Sequence, residues 1–356
     1  MLLEYCLLAA CSFSHIHNCG CSVKRNNQRH RSISCKISTA ATATDIPGKE
    51  ISATIREEIE QDVNDMVKAG RRAPGLAVIL VGSRRDSQTY VNMKTKACTQ
   101  VGIESFQFNY DSDVTQETLL KKVQELNENI MVDGILVQLP LPSHIDQDTV
   151  LNSVDPEKDV DGLHPVNVAR LAMLAPSSEG IKASENNVAV PASLQFSIPC
   201  TPLGCMELLA RSDVNISGKH AIVIGRSHLV GLPMARLLLA ADATVTIVHS
   251  RTENIARVVQ QGDIVVAAVG KAHMVKKEWL KDGAVVIDVG INSIDIEPKK
   301  PGGKTYKLVG DVDYLSARQV CSKITPVPGG VGPMTIAMLL RNTLNACKRA
   351  HNLTLA

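Results

Sequence analysis

Apolar and polar positions along the first half of the chain follow the periods of strands and helices in turn. The apolar run 76–81 is too short for a buried helix, and after Gly82 a polar turn leads into a helical pattern that lasts until Gly102. This stretch is predicted as a strand, a turn and a helix, with Asp86 or Ser87 as the helix cap. The same patterns predict helices over 48–66 and 115–127, and strands over 105–110 and from Gly134 to Pro140.

The second half repeats strand, turn and helix at the intervals of βαβ units. Its first strand ends at Gly225, and the next helix begins near Gly231. The other predicted elements are a helix over 203–211, strands over 244–248, 264–268 and 284–289, and a helix from Pro333 to about Lys348. These patterns predict an α/β protein with parallel sheets, the second of them doubly wound.

The pattern also divides the chain into domains. Residues 44–200 are predicted as the first domain, 201–325 as the second, and 326–356 as a loop and a helix. Within the first domain, residues 174–198 lose their periodicity and predict a long flexible loop. A length of 356 residues gives two domains an ample core, and an aromatic content of only 3% suits parallel strands built from aliphatic side chains.

Residues 1–43 differ from the rest of the chain in charge. Five basic residues and a single acidic one, Glu4, lie in this leader, which is also rich in Ser and is typical of an organelle transit peptide. A short apolar run at 7–10 leaves a secretory signal as the alternative. The whole chain has 38 basic and 36 acidic residues. Without the leader, 33 basic and 35 acidic residues remain, a net charge of −2, so we expect no nucleic-acid partner. No apolar stretch reaches the roughly 18 residues of a membrane span, so we expect no membrane partner either.

The cysteines do not indicate a metal or redox centre. Half of the ten lie in the leader, and the other half lack metal-ligand or C-x-x-C spacing. We expect these five to be core thiols in a reducing compartment, with no metal site: Cys98, Cys200, Cys205, Cys321 and Cys347.

Four polar side chains are candidates for one site at the carboxyl ends of the first sheet. Tyr90 and Lys94 are four residues apart and share a helix face, whereas Lys96 lies about 200° around the helix from Lys94. Gln138 ends an apolar strand and needs a partner if it is buried, for which Lys94 is a candidate. Asp161 precedes a glycine in a polar loop. The alternatives are solvated helix lysines, a glutamine bonded to nearby backbone, and a surface Asp-Gly turn.

The glycine turn of the second half predicts a dinucleotide site. It departs from the G-x-G-x-x-G fingerprint, because Ser227 and Val230 occupy the second and third glycine positions. An NAD site would offer an acid about 20 residues later, but here the strand ends in Ser250 and Arg251. With Arg226, these residues can bind a 2′-phosphate, which predicts NADP as the cofactor. An NAD site with solvated arginines is the alternative.

A loop rich in Gly and Pro precedes the last helix. All but one of the residues from Pro328 to Pro333 are Gly or Pro, which allow close backbone approach or rigid turns. Such a loop can lie against a flat ligand, or it can simply link the domains.

Six segments together resemble bifunctional methylenetetrahydrofolate dehydrogenase/cyclohydrolase, and the resemblance runs from about Gly48 to Lys348. The segments are DSQTYVNMKTK from Asp86, GILVQLPLP from Gly134, KDVDGL from Lys158, GRS from Gly225, DVGIN from Asp288 and PVPGGVGPMT from Pro326. Six segments in the family's order are far more specific than any one of them. The chain departs from the family at Ala169, where Gly is usual, and in about 175–195, which resemble an insertion that could disturb domain docking.

The resemblance implies a fold, an activity and a set of roles. The fold is an N-terminal parallel-sheet folate lobe and a Rossmann-like NADP domain, with the last helix returning to the first lobe, in a homodimer. The activity is oxidation of 5,10-methylenetetrahydrofolate with NADP⁺, followed by hydrolysis to 10-formyltetrahydrofolate. Lys94 would transfer protons, Gln138 would hold it, Tyr90 would stack on the folate and Asp161 would bond the pterin edge.

The resemblance further implies which residues contact the ligands. The implied substrate contacts are Tyr90, Val91, Asn92, Met93, Lys94, Val137, Gln138, Leu139, Asp161, Pro328, Gly329, Gly330, Val331, Gly332, Pro333, Met334 and Thr335. The implied NADP contacts are Gly225, Arg226, Ser227, Ser250, Arg251 and Ile291.

Two other functions and two locations stay open at this point. The chain can be a dehydrogenase whose cyclohydrolase step is weak because the insertion distorts the cleft, or a non-catalytic NADP-binding protein. The leader predicts a plastid, with the mitochondrion as the alternative.

Overall fold

The computed structural model describes residues 42–174, 195–296 and 305–353. The leader, apart from its last two residues, and most of the loop predicted over 174–198 lie outside these ranges. None of the helices in the described part of the chain is long and apolar enough to cross a membrane.

The helices and strands alternate along most of the chain. The helices are α1 (Gly48–Lys68), α2 (Arg85–Gln100), α3 (Gln116–Glu128), α4 (Gln147–Asn152), α5 (Pro165–Ala172), α6 (Cys200–Arg211), α7 (Gly231–Ala240), α8 (Ile255–Val259), α9 (Tyr314–Ala317) and α10 (Val331–Ala350). The strands are β1 (Thr44–Asp45), β2 (Gly75–Val81), β3 (Glu104–Tyr110), β4 (Gly134–Val137), β5 (His220–Ile224), β6 (Thr244–Val248), β7 (Ile264–Ala267), β8 (Val285–Asp288), β9 (Asn292–Asp295), β10 (Tyr306–Val309) and β11 (Lys323–Ile324).

The first lobe contains a parallel sheet in the order β3-β2-β4. Every residue of the central strand β2 is buried, because helices cover both faces of the sheet. Alternate side chains of β2 point to opposite faces, so that Ile79 packs with Leu119 of α3 while Val78 packs with Val91 of α2. The carboxyl ends of β2 and β4 therefore lie side by side, at the edge where α2 begins.

The second lobe contains a parallel sheet in the order β1-β11-β8-β7-β5-β6. The chain runs from β5 out to β6 and then returns to the other side of β5 as β7. The strand order thus reverses between β5 and β7, which is where a doubly wound sheet binds its ligand. This architecture confirms the predicted two-lobe α/β fold with a Rossmann-like second sheet.

Helices α1, α6 and α10 join the two lobes through one continuous core. A single cluster of buried side chains contains Val78 of the first sheet, Met206 of α6, Leu340 of α10 and Val223 of the second sheet. The buried Glu207 of α6 lies within this core.

Glu207 belongs to a charge network that crosses the three helices. Its carboxylate lies 2.8 Å from Arg211 Nε and 3.1 Å from Arg341 Nη1. The same two arginines bind Glu58 of α1 at 2.7 and 3.1 Å. Because each charge has an opposite neighbour, the network offsets the desolvation that would otherwise penalise a buried carboxylate.

The structure differs from the predicted elements at several points. The prediction that Asp86 or Ser87 caps α2 is wrong, because the helix starts at Arg85 with Arg84 in the N-cap position. The antiparallel pair β9 and β10 was not predicted, since two strands of four residues carry too little periodicity. The domain boundaries stay a prediction, although residues 44–45, assigned to the first domain, pair with β11 in the second sheet.

Candidate functional site

A cleft of about 250 Å³ lies between the carboxyl ends of the two sheets. The first lobe contributes Tyr90, Lys94, Gln138 and Asp161 to its lining. Val230, which precedes α7 in the second lobe, lines the same cleft. The four polar side chains that the sequence singled out in the first lobe are therefore brought together, and the second lobe completes the wall opposite them.

Lys94 and Gln138 form a buried hydrogen-bonded pair. Lys94 is only 6% exposed, and its Nζ donates to Gln138 Oε1 at 3.0 Å. Gln138 Nε2 donates to the carbonyl of Leu139 at 2.9 Å, which fixes the amide so that its oxygen faces the lysine. The expected partnership with Lys94 and the alternative of a backbone bond are thus both correct.

Burial makes the Lys94 amine easier to deprotonate. Desolvation lowers the pKa of Lys94 from its ordinary value, and the charge of Asp161 opposes this shift. An amine with a lowered pKa can both accept and donate a proton closer to neutral pH than a surface lysine can.

The helical period of α2 places Tyr90 and Lys94 at the cleft and Lys96 on another face. Lys94 Nζ lies 5.4 Å from the centre of the Tyr90 ring, and burial raises the pKa of Tyr90. Lys96 is exposed on another face of the helix, as predicted. The alternative of a solvated helix lysine is therefore wrong for Lys94 and correct for Lys96.

The three residues between Tyr90 and Lys94 do not line the cleft. Val91 is fully buried in the core, while Asn92 and Met93 are exposed, because successive helical residues point about 100° apart. Their implied contacts with the substrate stay a prediction. Val137 and Leu139, beside Gln138, do line the cleft.

Asp161 is held at the cleft by the loop that carries it. A Cβ on Gly162 would lie 2.6 Å from the carbonyl carbon of Ile198, so this loop is pressed against the segment before α6 and is not a free surface turn. Asn342 of α10 ties the two segments together, since its Nδ2 donates to Val160 O at 2.8 Å and to Ile198 O at 2.9 Å. Burial raises the pKa of Asp161, and the charge of Lys94 opposes this.

Sequence reasoning missed several residues of the site. Thr201 lines the cleft, and its hydroxyl lies 3.0 Å from that of the predicted Thr335. Cys200, expected to be a core thiol, is buried but also lines the cleft, and burial raises the pKa of its thiol well above the usual value. No local pattern marks these residues or Asn342, because α6 and α10 bring them to the cleft only through tertiary packing.

The conformation of the loop before α10, and of the first turn of that helix, requires glycines at several positions. Gly329 has a φ of +108°, which favours glycine, and a Cβ on Gly48 would lie 2.1 Å from Gly330 O. At Gly332, a Cβ would lie 3.9 Å from the Tyr90 hydroxyl and 3.7 Å from Ile291 Cδ1. Gly332 therefore leaves space between a side chain of the first lobe and one of the second.

The other residues of this loop have mixed positions. Val331 and Met334, in the first turn of α10, are buried in the core rather than in the cleft, while Pro328 is exposed and Pro333 is half-buried. Of the implied substrate contacts from Pro328 to Thr335, all within the described part of the chain, Thr335 is the one that lines the cleft.

The turn after β5 fits a dinucleotide. Gly225 has a φ of +119°, and a Cβ there would lie 2.2 Å from Ala268 O, while a Cβ on Gly231 would lie 2.4 Å from Gly225 O. Ser227 Oγ accepts hydrogen bonds from the backbone N–H groups of Val230 and Gly231 at the start of α7. A backbone this bare beside a helix N-terminus suits the close approach of a pyrophosphate.

The predicted 2′-phosphate residues are all exposed near the ends of neighbouring strands. Arg226 follows β5, and Ser250 and Arg251 follow β6, which pairs with β5. No acid stands among the residues 249–252 at the end of β6. Among the described residues, no group of three or more His, Cys, Asp or Glu side chains is placed to hold a metal ion.

Comparisons with known proteins assign both lobes to one family. Residues 46–161 match the description "Tetrahydrofolate dehydrogenase/cyclohydrolase, catalytic domain", and residues 199–351 match "Tetrahydrofolate dehydrogenase/cyclohydrolase, NAD(P)-binding domain".

Individual relatives match over most of their length. "Bifunctional protein FolD 2" of Arabidopsis thaliana is 52% identical over 308 residues, which span 86% of this chain and 96% of that protein. "Bifunctional protein FolD 4, chloroplastic" of the same plant is 49% identical over 333 residues, 94% of this chain and 87% of that protein. The Trypanosoma brucei N5,N10-methylenetetrahydrofolate dehydrogenase-cyclohydrolase, solved with NADP cofactor and an inhibitor, has a TM-score of 0.77 and 43% identity, covering 87% of this chain and 99% of that one.

Proposed function

The chain belongs to the tetrahydrofolate dehydrogenase/cyclohydrolase family, and on that premise we propose that it oxidises 5,10-methylenetetrahydrofolate with NADP⁺ and hydrolyses the product to 10-formyltetrahydrofolate. The observation that carries this proposal is the buried pair of Lys94 and Gln138 in a cleft that both lobes line. The turn from Gly225 to Gly231, whose Val230 lines the same cleft, leaves the backbone accessible to a dinucleotide.

The oxidation needs little acid or base chemistry from the protein. The lone pair of a folate nitrogen stabilises the methenyl cation that forms as the hydride leaves, and bound NADP⁺ supplies the hydride acceptor. The residues of the chain act by placing the folate. Tyr90 stacks on its ring, and Asp161 bonds the amide edge of the pterin. Gly332 leaves open space beside the Tyr90 hydroxyl.

The hydrolysis does need proton transfer, and Lys94 is placed to provide it. Water adds to the methenyl carbon and loses a proton, and the bond from that carbon to one ring nitrogen then breaks as the nitrogen gains a proton. The neutral Lys94 amine accepts the first proton and returns it to the nitrogen. The hydroxyl group left on the carbon loses its own proton to solvent as the formyl C=O bond forms, so that one proton is released overall. Gln138 Oε1 orients the amine, and burial lowers the pKa of Lys94 so that both forms are accessible.

Replacing Lys94 should separate the two activities. We expect Lys94→Met to slow the hydrolysis of methenyltetrahydrofolate by about 10²- to 10⁴-fold, because the proton carrier is lost, and to leave measurable hydride transfer. Both rates are followed spectrophotometrically on the purified protein, and Lys96→Met, on the exposed face of α2, serves as the control. Equal losses of both rates would show that the amine is not a dedicated proton carrier. A wild-type protein that hydrolyses no faster than buffer would instead support a dehydrogenase alone.

The cofactor preference rests on Arg226, Ser250 and Arg251, whose charges and hydroxyl suit a 2′-phosphate. We expect Arg226→Ala to raise the dissociation constant of NADP⁺ by roughly 10- to 100-fold, since a hydrogen bond between charged groups is lost, and to change NAD⁺ binding little. Calorimetric titration measures both, with Arg71→Ala in the first lobe as the control. If both dinucleotides weaken equally, Arg226 does not read the 2′-phosphate.

For the cellular location we propose a plastid. The charge and Ser content of residues 1–43 support this, as does the relative whose name places it in the chloroplast. Fusing residues 1–43 to a fluorescent protein in cells with both plastids and mitochondria should send the fusion to plastids. Mitochondrial fluorescence would select the alternative, and a diffuse cytosolic signal would contradict both.

We also propose that the protein is a homodimer. The edge strand β6 supports this, since its Ile247 is exposed, and so is Leu239 on the neighbouring helix α7. Sedimentation equilibrium should give twice the chain mass for the wild type and the single mass for Ile247→Lys. A wild-type monomer at micromolar concentration would overturn the proposal.

A further inference from the structure

Two carboxylates outside the folate site are buried at the carboxyl end of the second sheet. Asp288 ends β8 and is 2% exposed, and Asp311 follows β10 and is 0% exposed. Neither has a role in the chemistry described above. The hydrogen bonds that their oxygens accept show which backbone segments the two carboxylates hold in place.

Asp311 accepts hydrogen bonds from two separate segments. Its Oδ2 accepts from the backbone N–H groups of Val269 and Gly270 at 2.7 and 3.0 Å. Its Oδ1 accepts from the backbone of Lys271 at 2.8 Å and from Asn292 Nδ2 at 2.9 Å. One carboxylate therefore ties the segment after β7 to the segment after β8.

Asp288 fixes Asp311 and the segment after its own strand. Its Oδ1 accepts from the backbone N–H groups of Gly290 at 3.1 Å and Asp311 at 2.9 Å, and its Oδ2 accepts from Val312 at 3.0 Å. A Cβ on Gly310 would lie 1.8 Å from Asp288 Oδ2, so the pair fits only against bare backbone. All four oxygens have N–H donors, so the pair is satisfied by the protein and does not form an open cation site.

The two tied segments border the candidate cofactor site from both ends. Residue 268, directly before segment 269–271, supplies the carbonyl against which Gly225 packs. Segment 290–292 carries Ile291, which is 53% exposed and whose Cδ1 would lie 3.7 Å from a Cβ on Gly332. The two carboxylates thus bind both the segment that follows the Gly225 contact and the segment that carries Ile291, a predicted NADP contact.

Building on the function proposed above, we infer that Asp288 and Asp311 are positioning residues for NADP⁺ and NADPH. They act through the backbone, by holding segments 269–271 and 290–292 where the protein meets the dinucleotide. Loosening these segments should lower the fraction of molecules ready to bind, and the apparent affinity should fall by that fraction. Hydrolysis by Lys94 should be unaffected, because Lys94 and Gln138 lie in the other lobe.

The central test uses Asp311→Asn, in which an amide N–H₂ replaces one acceptor and faces two N–H donors. We expect the dissociation constants of NADP⁺ and NADPH, measured by titration calorimetry, to rise alike by about tenfold or more. Hydrolysis of methenyltetrahydrofolate without added dinucleotide should stay within about twofold of the wild type. Asp295→Asn is the matched control, because it removes the same charge from an exposed position in β9.

Asn292→Ala keeps the test decisive if Asp311→Asn does not fold. It removes one donor to Asp311 and leaves both carboxylates in place. We expect a smaller rise in both dissociation constants, by about two- to fivefold, again with unchanged hydrolysis.

Three results would overturn the inference. Weaker binding of NADP⁺ but not of NADPH would show that the buried charge acts on the nicotinamide cation directly. A parallel loss of binding and hydrolysis would show a general structural role, and unchanged binding in both variants would show that the segments need no such support. If the proposed function itself failed, the wild type would show no turnover, while the effect of the variants on dinucleotide binding would still be measurable.

Discussion

The site depends on the burial of a single amine. An ammonium group taken out of water costs several kcal/mol, even after the protein relaxes around it. Lys94 has a glutamine oxygen at 3.0 Å and a nearby carboxyl group, Asp161, to offset this, and the pKa of Lys94 is still lowered. The lowered pKa means that the fold loses stability as pH falls below the ordinary pKa of an unfolded lysine, about 10.4, toward the folded value. The same burial that weakens the fold lowers the pKa of the amine, which is the property that the proposed proton transfer requires.

Holding that amine in place requires contacts from distant parts of the chain. Strand β4 ends where Gln138 can reach α2, and the Asp161 loop is pinned by Asn342 of α10. Helices α6 and α10 belong to the core that continues into the second sheet. The loop of Asp161 is therefore tied to a helix of the core that both sheets share, whereas Lys94 and Gln138 pair within the first lobe.

Patterns in the sequence predicted the parts of the site that are local. The four-residue spacing of Tyr90 and Lys94 places them on one face of α2, and the end of an apolar strand identifies Gln138. The same period places Val91 in the core, and its implied contact with the substrate stays a prediction. Thr201 and Asn342 could not be found in this way, because Asn342 lies 182 residues from the carbonyl of Val160 that it binds, and no local period links them. The cap of α2 was also mispredicted. Asp86 and Ser87 are residue types that suit the N-cap position, but the helix already begins at Arg85.

Each lobe buries an ionisable side chain, and burial shifts the two pKa values in opposite directions. In the first lobe, a cation is held with few hydrogen bonds, and its pKa falls, which favours proton exchange. In the second lobe, burial raises the pKa of Asp288 to about 7, although three backbone N–H groups favour its charged form. A raised carboxyl pKa means that the fold loses stability as pH rises from about 4 through 7, the reverse of the effect of Lys94. Near neutral pH, the burial of Lys94 and the burial of Asp288 therefore both lower the stability of the fold. In the proposed mechanism the buried Lys94 amine transfers protons, whereas the buried Asp288 carboxyl group holds the backbone at Gly290, Asp311 and Val312.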